Sequence, residues 1–314
     1  DVDAIVMSLQ RSDPNYRVIG YFNTGPTEAS VANNLEIDSI TIADIGMLTE
    51  EMTISEIVVG TPLSEGMTVE LNNQLIKLLE NGIPIREYTQ VYEELTHRIP
   101  VQHVEKDFYR YFPFSRSNQN KLYLFFNRIL DLVISVIGLA FGILLLPILL
   151  IGNIFANRGP FFYSQTRVGK NGKHFKIYKL RSMVKNAESN GAQFAQAKDT
   201  RVTKFGRFLR KSRFDEIPQF INVIKGEMSI IGPRPERPEF VKGLIEKIPF
   251  YEIRHLVKPG VTGWAQVNAK YGSTQEDSLE KLQYDLYYIK HRSLFLDVTI
   301  IIKTLSTIVF FRGQ

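Results

Sequence analysis

The sequence predicts an α/β protein in two parts: an N-terminal unit of alternating helices and strands, then a mostly helical, membrane-associated unit with a Pro-broken apolar hairpin. Three observations carry this expectation: helix and strand patterns alternate over residues 1–98, an uncharged apolar run occupies Leu132 to Phe155, and charge is split steeply along the chain. Residues 1–119 hold 8 Lys and Arg against 18 Asp and Glu, while residues 120–314 hold 30 against 15. The basic part is built to meet an anionic partner: nucleic acid, a phospholipid surface or a phosphorylated substrate. The full 314 residues suffice for two modest domains, read here as 1–98 and 121–314 joined by a linker at 99–120. The chain has no Cys, which excludes a disulfide framework, a thiolate nucleophile and Cys-ligated metal. Its five His residues lack HExxH or HxH spacing, so a His-built metal site is not expected.

In the first part, "VDAIVMSLQ" reads as a helix, and "YRVIGYFN" and "ISEIVVG" carry the β-branched and aromatic residues of strands. "VELNNQLIKLLENG" has helical apolar spacing ending at Gly82, and "IPIREYT" is strand-like again. Such alternation predicts a parallel α/β unit. It matches part of a Rossmann-type domain, truncated, with no GxGxxG after a strand; nucleotide binding is therefore not expected here. A regulatory or oligomerisation role, with homodimerisation through this part, is the expectation. The linker, which includes "YFPFSRSNQN", is aromatic and polar without a clear period.

The apolar run is long enough to span a bilayer. Pro147 lies inside it, where it removes a backbone donor and crowds the preceding turn, predicting a kink or break. Basic residues flank both sides, Lys121 and Arg128 before it and Arg158, Arg167 and Lys170 after it. A simple span leaves its positive charge on one side. The pattern favours a re-entrant helix over about residues 129–157, entering and leaving by one face, with an ordinary span as the alternative. Near the C-terminus, "SLFLDVTIIIKTLSTIVFF" is apolar but interrupted by Asp297 and Lys303, which suits a helix in the membrane interface or packed on the hairpin. A core helix is the competing reading.

Between Arg158 and Arg213 there are 15 Lys or Arg and two acids, Glu188 and Asp199. A solvated basic face is the default for such a run, and an anionic-lipid contact is the next. If "FKIYKLRSM" is a strand, Lys176, Tyr178 and Leu180 share one side and Ile177, Lys179 and Arg181 the other. "TKFGRFLRKSRFDEIPQFINVI" reads as helix, with Pro218 forcing a boundary near Asp215 and Glu216 or opening a new helix there. An isolated Asp-Glu pair is most simply a cap plus surface charge. Set among bases, Asp215 and Glu216 become candidates for Mg²⁺, which one or two carboxylates and substrate phosphates usually hold. Pro233 and Pro235 restrict the backbone around Arg234 and reduce the entropy lost when its guanidinium grips an anion. "VKPGVTGWAQVN", which contains the only Trp, says little alone.

Together, "NRILDLVISVIGL" leading into the Pro-broken segment, "RVGKNGKHFKIYKLRSM", "RVTKFGRFLRKSRFDEIPQFINVIKGEMSIIGPRP" and "KPGVTGWAQVN" give the chain from about Lys121 onward a specific resemblance. It resembles the bacterial sugar transferases, the monotopic polyprenyl-phosphate phosphoglycosyl transferases, and the first part looks like the Rossmann-like domain that precedes this module in larger members. Those members usually also carry an N-terminal membrane bundle, which this sequence does not contain. The resemblance implies an enzyme at the cytosolic face of the bacterial inner membrane, working in exopolysaccharide, capsule or O-antigen synthesis. It implies transfer of a sugar 1-phosphate from a UDP-sugar, glucose or galactose, to undecaprenyl phosphate. By the same resemblance Asp215 is the nucleophile, Glu216 the second member of a dyad associated with Mg²⁺, and Arg234 a phosphate contact. Lys179, Arg181, Arg201 and Arg210 are the further phosphate candidates from the basic run. Some relatives carry Ser before the hairpin Pro, whereas Leu146 stands here and supplies no hydroxyl for a freed carbonyl. A non-enzymatic adaptor binding acidic lipids is the rival reading. Nucleic-acid binding by the basic run is disfavoured by the apolar hairpin beside it.

Overall fold

The computed structural model describes residues 2–21, 38–40, 54–60, 68–103, 118, 120–188, 191, 199–269, 272 and 274–309. The chain divides into two compact units, Asp1–Val104 and Glu105–Gln314. Most of the expected linker, residues 104–117 and 119, lies outside the described residues.

In the first unit, helix α1 (Val2–Ser12) precedes the short strands β1 (Gly20–Tyr21) and β2 (Asp38–Ser39), which pair in parallel. Strand β3 (Ile57–Val59), helix α2 (Val69–Glu80) and strand β4 (Ile85–Glu87) then form a βαβ unit, with β3 and β4 parallel. Helix α2 starts where the Thr68 hydroxyl accepts from the Leu71 N–H at 3.1 Å, a cap worth about 1 kcal/mol. Its Leu71, Leu75 and Leu78 are buried against Ile57 and Ile85, which is why the apolar spacing of 4 and then 3 residues was a reliable helical signal. Helix α3 (Tyr88–Thr96) follows β4, and its Tyr88, Val91 and Tyr92 close over Leu9 of α1.

The second unit opens with helix α4, Lys121–Gly152, capped by the Asn120 side chain. Residues 121–157 are long and apolar enough to cross a membrane, and little of that surface is covered. Val133, Val136, Ile137, Ile143, Leu144, Ile148 and Ile151 are exposed, an apolar area that water does not tolerate on this scale. The opposite face is polar. Tyr123, Asn127, Asp131 and Ser135 recur every fourth residue and are all buried. Tyr123 donates to Asp297 at 2.5 Å, and Asp131 accepts from the Ser229 hydroxyl at 2.9 Å and the Ile230 N–H at 2.7 Å. The helix therefore turns its polar stripe toward the protein and its apolar face outward.

Of the kink or break expected at Pro147, the helix shows no chain break at the proline itself. The backbone stays helical to Gly152, and the change comes in a π-helical turn, Asn153–Asn157, followed by Arg158 in the left-handed region. Packing on both sides of the proline explains this. A Cβ on Gly142 would lie 2.6 Å from the Ile217 side chain and one on Gly152 2.5 Å from that of Phe205, so the helix is held closely before and after Pro147.

Strands β5 (Phe162–Val168) and β6 (His174–Leu180) form an antiparallel hairpin, turned by Asn171 and Gly172 with positive φ. Helix α5 (Lys204–Lys211), a 3₁₀ turn at Phe214–Glu216 and helix α6 (Gln219–Lys225) follow, with the boundary falling at Asp215 and Glu216 and a new helix opening after Pro218. Strands β7 (Ser229–Ile231) and β8 (Gly260–Thr262) pair in parallel, with helix α7 (Pro238–Lys247) between them. The short α8 (Trp264–Asn268), then α9 (Gln275–His291) and α10 (Leu294–Val309), complete the unit. Helix α10 is two-faced: Asp297 and Ile300 are buried, while Phe295, Val298, Ile302 and Leu305 are exposed.

Candidate active site

Three segments converge on the Asp-Glu pair, and each is fixed by a contact outside it. The pair sits in the 3₁₀ turn after Arg213, whose φ of 60° swings the chain out of α5. A left-handed non-Gly residue is uncommon and is maintained only where the surroundings enforce it. Strand β6 brings Lys179, on the same side as buried Phe175 and Ile177. Asn222 of α6 locks the strand to the helix: its Oδ1 accepts from the Tyr178 N–H at 3.1 Å and its Nδ2 donates to the Lys176 carbonyl at 2.7 Å. Arg234 follows β7, and its own carbonyl and that of Pro235 are gripped from behind. Arg254 donates to the Arg234 carbonyl at 3.0 Å and Arg167 to the Pro235 carbonyl at 3.1 Å. Arg254 is itself buried and paired with Asp285 at 2.7 Å.

Asp215 and Glu216 are each 7 % exposed, yet their surroundings differ. Glu216 accepts from Lys179 Nζ at 3.1 Å and Arg234 Nη2 at 3.0 Å, with Arg213 Nη1 at 3.7 Å. Burial opposes its ionisation, but Arg234, Lys179 and Arg213 outweigh burial and hold it well below the usual carboxylate range. Asp215 goes the other way. Burial pushes its pKa up, the Glu216 charge adds to this, and Lys179, Arg210 and Arg213 oppose it only in part. Its Oδ1 is buried without a hydrogen-bond partner, as is Nε2 of Gln219, four residues on. Burial also lowers Lys179, to about 8, against the pull of Glu216. Arg234 keeps 38 % of its side chain open, so it holds Glu216 and still faces solvent.

The arrangement offers one satisfied carboxylate, one unsatisfied carboxylate and a ring of cations. It suits an anion with displaceable groups, since a carboxylate approaches a phosphate only where positive charge offsets the repulsion. Among the described residues no three His, Asp or Glu side chains cluster for a metal. The unpaired Asp215 oxygen beside Glu216 fits the other mode, in which one or two carboxylates and the ligand's own phosphates hold Mg²⁺.

The remaining candidates from the basic run separate. Arg210 donates to the Ser182 hydroxyl at 2.9 Å, and its charge reaches Asp215. Arg181, expected as a phosphate contact, is instead committed to three backbone carbonyls: Pro160 at 2.7 Å, Asn157 at 2.9 Å and Met183 at 3.0 Å. It clamps the exit of α4, because the loop carbonyls there lack helical partners. Arg201 pairs with Asp199 at 2.6 Å and donates to the Ala187 carbonyl, so its guanidinium is also engaged locally. Sequence reasoning missed Arg213, Arg167, Arg254 and Asp285. Arg213 lay two residues before Asp215 and was the one legible from position alone.

A family model described as bacterial sugar transferase matches residues 122–311, which contain every side chain of this site. The chain belongs to the bacterial sugar transferase family. Among relatives, a UDP-N-acetylgalactosamine-undecaprenyl-phosphate N-acetylgalactosaminephosphotransferase of Aeromonas hydrophila is 43 % identical over 229 residues, 72 % of this chain and 52 % of that protein. A UDP-glucose:undecaprenyl-phosphate glucose-1-phosphate transferase of Xanthomonas campestris pv. campestris is 43 % identical over 177 residues, 55 % of this chain and 37 % of that protein. A putative undecaprenyl-phosphate N-acetylgalactosaminyl 1-phosphate transferase of Bacillus subtilis (strain 168) is 46 % identical over 141 residues, 45 % of this chain and 79 % of that protein. The chain thus spans about half the length of the first sugar transferase and just over a third of the second.

Proposed function

We propose that this chain transfers a sugar 1-phosphate from a UDP-sugar to undecaprenyl phosphate, in two displacements through Asp215. The observation that carries the reading is the contrast within the dyad: Glu216 is satisfied by Lys179 and Arg234, while Asp215 keeps a buried oxygen without a partner. That oxygen attacks the β-phosphorus of the donor, the bond to the bridging oxygen breaks, and UMP leaves with the electron pair. The carboxylate now carries the phosphosugar. A phosphate oxygen of undecaprenyl phosphate then attacks the same phosphorus, the Asp215 carboxylate departs, and undecaprenyl diphosphate sugar is formed. Each step passes negative charge through the phosphoryl oxygens, where Arg234, Lys179, Arg213 and Arg210 supply offsetting charge. Glu216 sets the geometry of Lys179 and Arg234 before the donor arrives. Asp215 and Glu216 would hold Mg²⁺ together with the donor phosphates, and the ion would neutralise charge on the diphosphate.

The same reading makes α4 re-entrant. Its 32 residues extend about 48 Å, more than a bilayer core, yet the same unit packs on both ends. Tyr123 near its start meets Asp297, and Gly152 at its end meets Phe205. A simple span would leave those partners on opposite sides of the membrane. The reading places the site at the cytosolic face of the inner membrane, where UDP-sugars occur. The first unit, with its parallel βαβ, is taken as a truncated Rossmann-like domain that mediates homodimerisation.

Names of relatives point to N-acetylgalactosamine or glucose as the sugar, alongside galactose. The test is UMP release by the full chain in native-lipid particles, given each UDP-sugar with undecaprenyl phosphate. Release with one of the three is expected. Silence with all of them, in particles that bind undecaprenyl phosphate, would remove the donor assignment.

A further inference from the structure

A second cationic locus lies where the first part of α4 meets the C-terminal end of α6. Arg128 donates from Nη1 to the Val223 carbonyl at 2.7 Å and from Nη2 to the Ile224 carbonyl at 2.8 Å, closing the last turn of α6. Lys258, on the loop before β8, reaches the same spot: a Cβ built on Gly226 would lie 3.7 Å from Lys258 Nζ and 3.8 Å from Arg128 Nη2. Arg128 has a structural task. Lys258 has none, since it is half-buried and makes no hydrogen bond or ion pair among the described residues. The carboxylate charge that reaches it is that of Asp131, already bonded to the Ser229 hydroxyl and the Ile230 N–H. Burial, then Arg128, pull the Lys258 pKa down, and the Asp131 charge opposes them only in part.

The rim of this locus is apolar and exposed. Phe125 and Leu132 lie three residues before and four after Arg128, on its side of α4, and Ile221 and Ile224 lie on α6 beside it. A cation pair framed by exposed apolar side chains on a helix of bilayer length matches one ligand chemistry: a phosphate diester carrying acyl chains. We infer that Lys258 and Arg128 form a binding site for the headgroup of an anionic membrane phospholipid, whose chains lie along Leu132 and Ile221. The locus sits at the C-terminal end of α6, whose seven residues rise about 10 Å beyond the dyad turn, whereas an acceptor phosphate must come within bonding distance of the phosphorus at Asp215. The lipid here is therefore a docking ligand and not the acceptor.

The alternative is that Lys258 only complements the C-terminal dipole of α6. That role needs no lipid and is indifferent to the headgroup. The test places the full chain in nanodiscs of phosphatidylcholine with a minority of phosphatidylglycerol, extracts it into mild detergent, and measures the ratio of the two lipids that stay bound. Wild type is expected to be enriched in phosphatidylglycerol over the bulk ratio. Lys258→Met should lower that enrichment about fivefold, the equivalent of about 1 kcal/mol for one basic side chain at an anionic surface. Lys258→Arg should retain it, and Lys173→Met, at the exposed hairpin turn, should leave it unchanged. Replacing phosphatidylglycerol by phosphatidylethanolamine in the wild-type particles should abolish enrichment, an arm that needs no variant. Equal enrichment in wild type and Lys258→Met would overturn the site. So would thermal stabilisation of the lipid-free protein by inorganic phosphate that depends on Lys258, which would make this a free-anion site. The readout is lipid composition, so it stands whether or not sugar transfer is observed.

Discussion

Arg181 and Arg234 come from the same basic part of the chain and do opposite things. Arg181 is 8 % exposed and spends its guanidinium on three carbonyls, two at the exit of α4 and one just after β6. Arg234 is more than a third open and meets a carboxylate, while its backbone is gripped from behind by Arg254. One arginine is consumed in holding the fold, and the other is held by the fold for use. Positive charge in a run is thus not a measure of availability. What separates the two is whether unpaired backbone carbonyls or a buried carboxylate waits at the end of the side chain.

The largest effect that would break this contrast is at the shared anchor. Glu216→Gln should lower kcat about 10²- to 10³-fold, because Lys179 and Arg234 lose the charge that orients them. UMP release at saturating donor is the measurement. Next, Arg234→Lys should cost about tenfold, roughly one charge-assisted hydrogen bond. The same assay reads it, and an unchanged rate would mean that any cation suffices.

Arg181→Gln should behave in reverse. Losing its three bonds should destabilise the unit by about 3 kcal/mol, or roughly 6 to 12 °C in melting temperature for a unit of this size. The rate per folded molecule should stay within about twofold. A selective loss of kcat with an unchanged melting temperature would return Arg181 to the phosphate contacts.

The smallest expected effect concerns His255, next to Arg254. Burial first, and Arg254 second, hold its pKa down at about 4. The folded state therefore binds a proton less readily than the unfolded chain, with its His pKa of about 6.5. This stabilising contribution is complete above pH 6.5 and is lost as pH falls through 4. Melting curves of wild type and His255→Gln should converge over that window by about 1 to 3 kcal/mol. A constant gap would place an ionised His255 in the fold.

The sequence announced some of this and concealed the rest for identifiable reasons. The spacing of Leu71, Leu75 and Leu78 exposed α2 because burial on one face is periodic. The length of the run after Leu132 exposed α4 because hydropathy sums over residues. Summing also hid its polar face: Tyr123, Asn127, Asp131 and Ser135 are four isolated residues until a helix stacks them. Pro147 left a kink and a break both open because local sterics allow either, and the packing of Ile217 and Phe205, which keeps the segment helical on both sides of it, is not visible in the chain. The dyad and Arg234 stood out through their neighbours in the chain. Arg167, Arg254 and Asp285 did not, since they act on the Pro-Arg-Pro backbone only after β5, the Tyr251–Leu256 turn and α9 come together.

The central claim is that the unpartnered oxygen of Asp215 becomes covalently loaded. Intact-protein mass spectrometry after incubation with the accepted UDP-sugar, without undecaprenyl phosphate, tests it most directly. The account predicts an added mass of one phosphosugar on the peptide containing Asp215, discharged when undecaprenyl phosphate is added and absent in Asp215→Asn, whose turnover should fall on the order of 10⁴-fold or more. Turnover without any adduct, or an adduct on another residue, would contradict it.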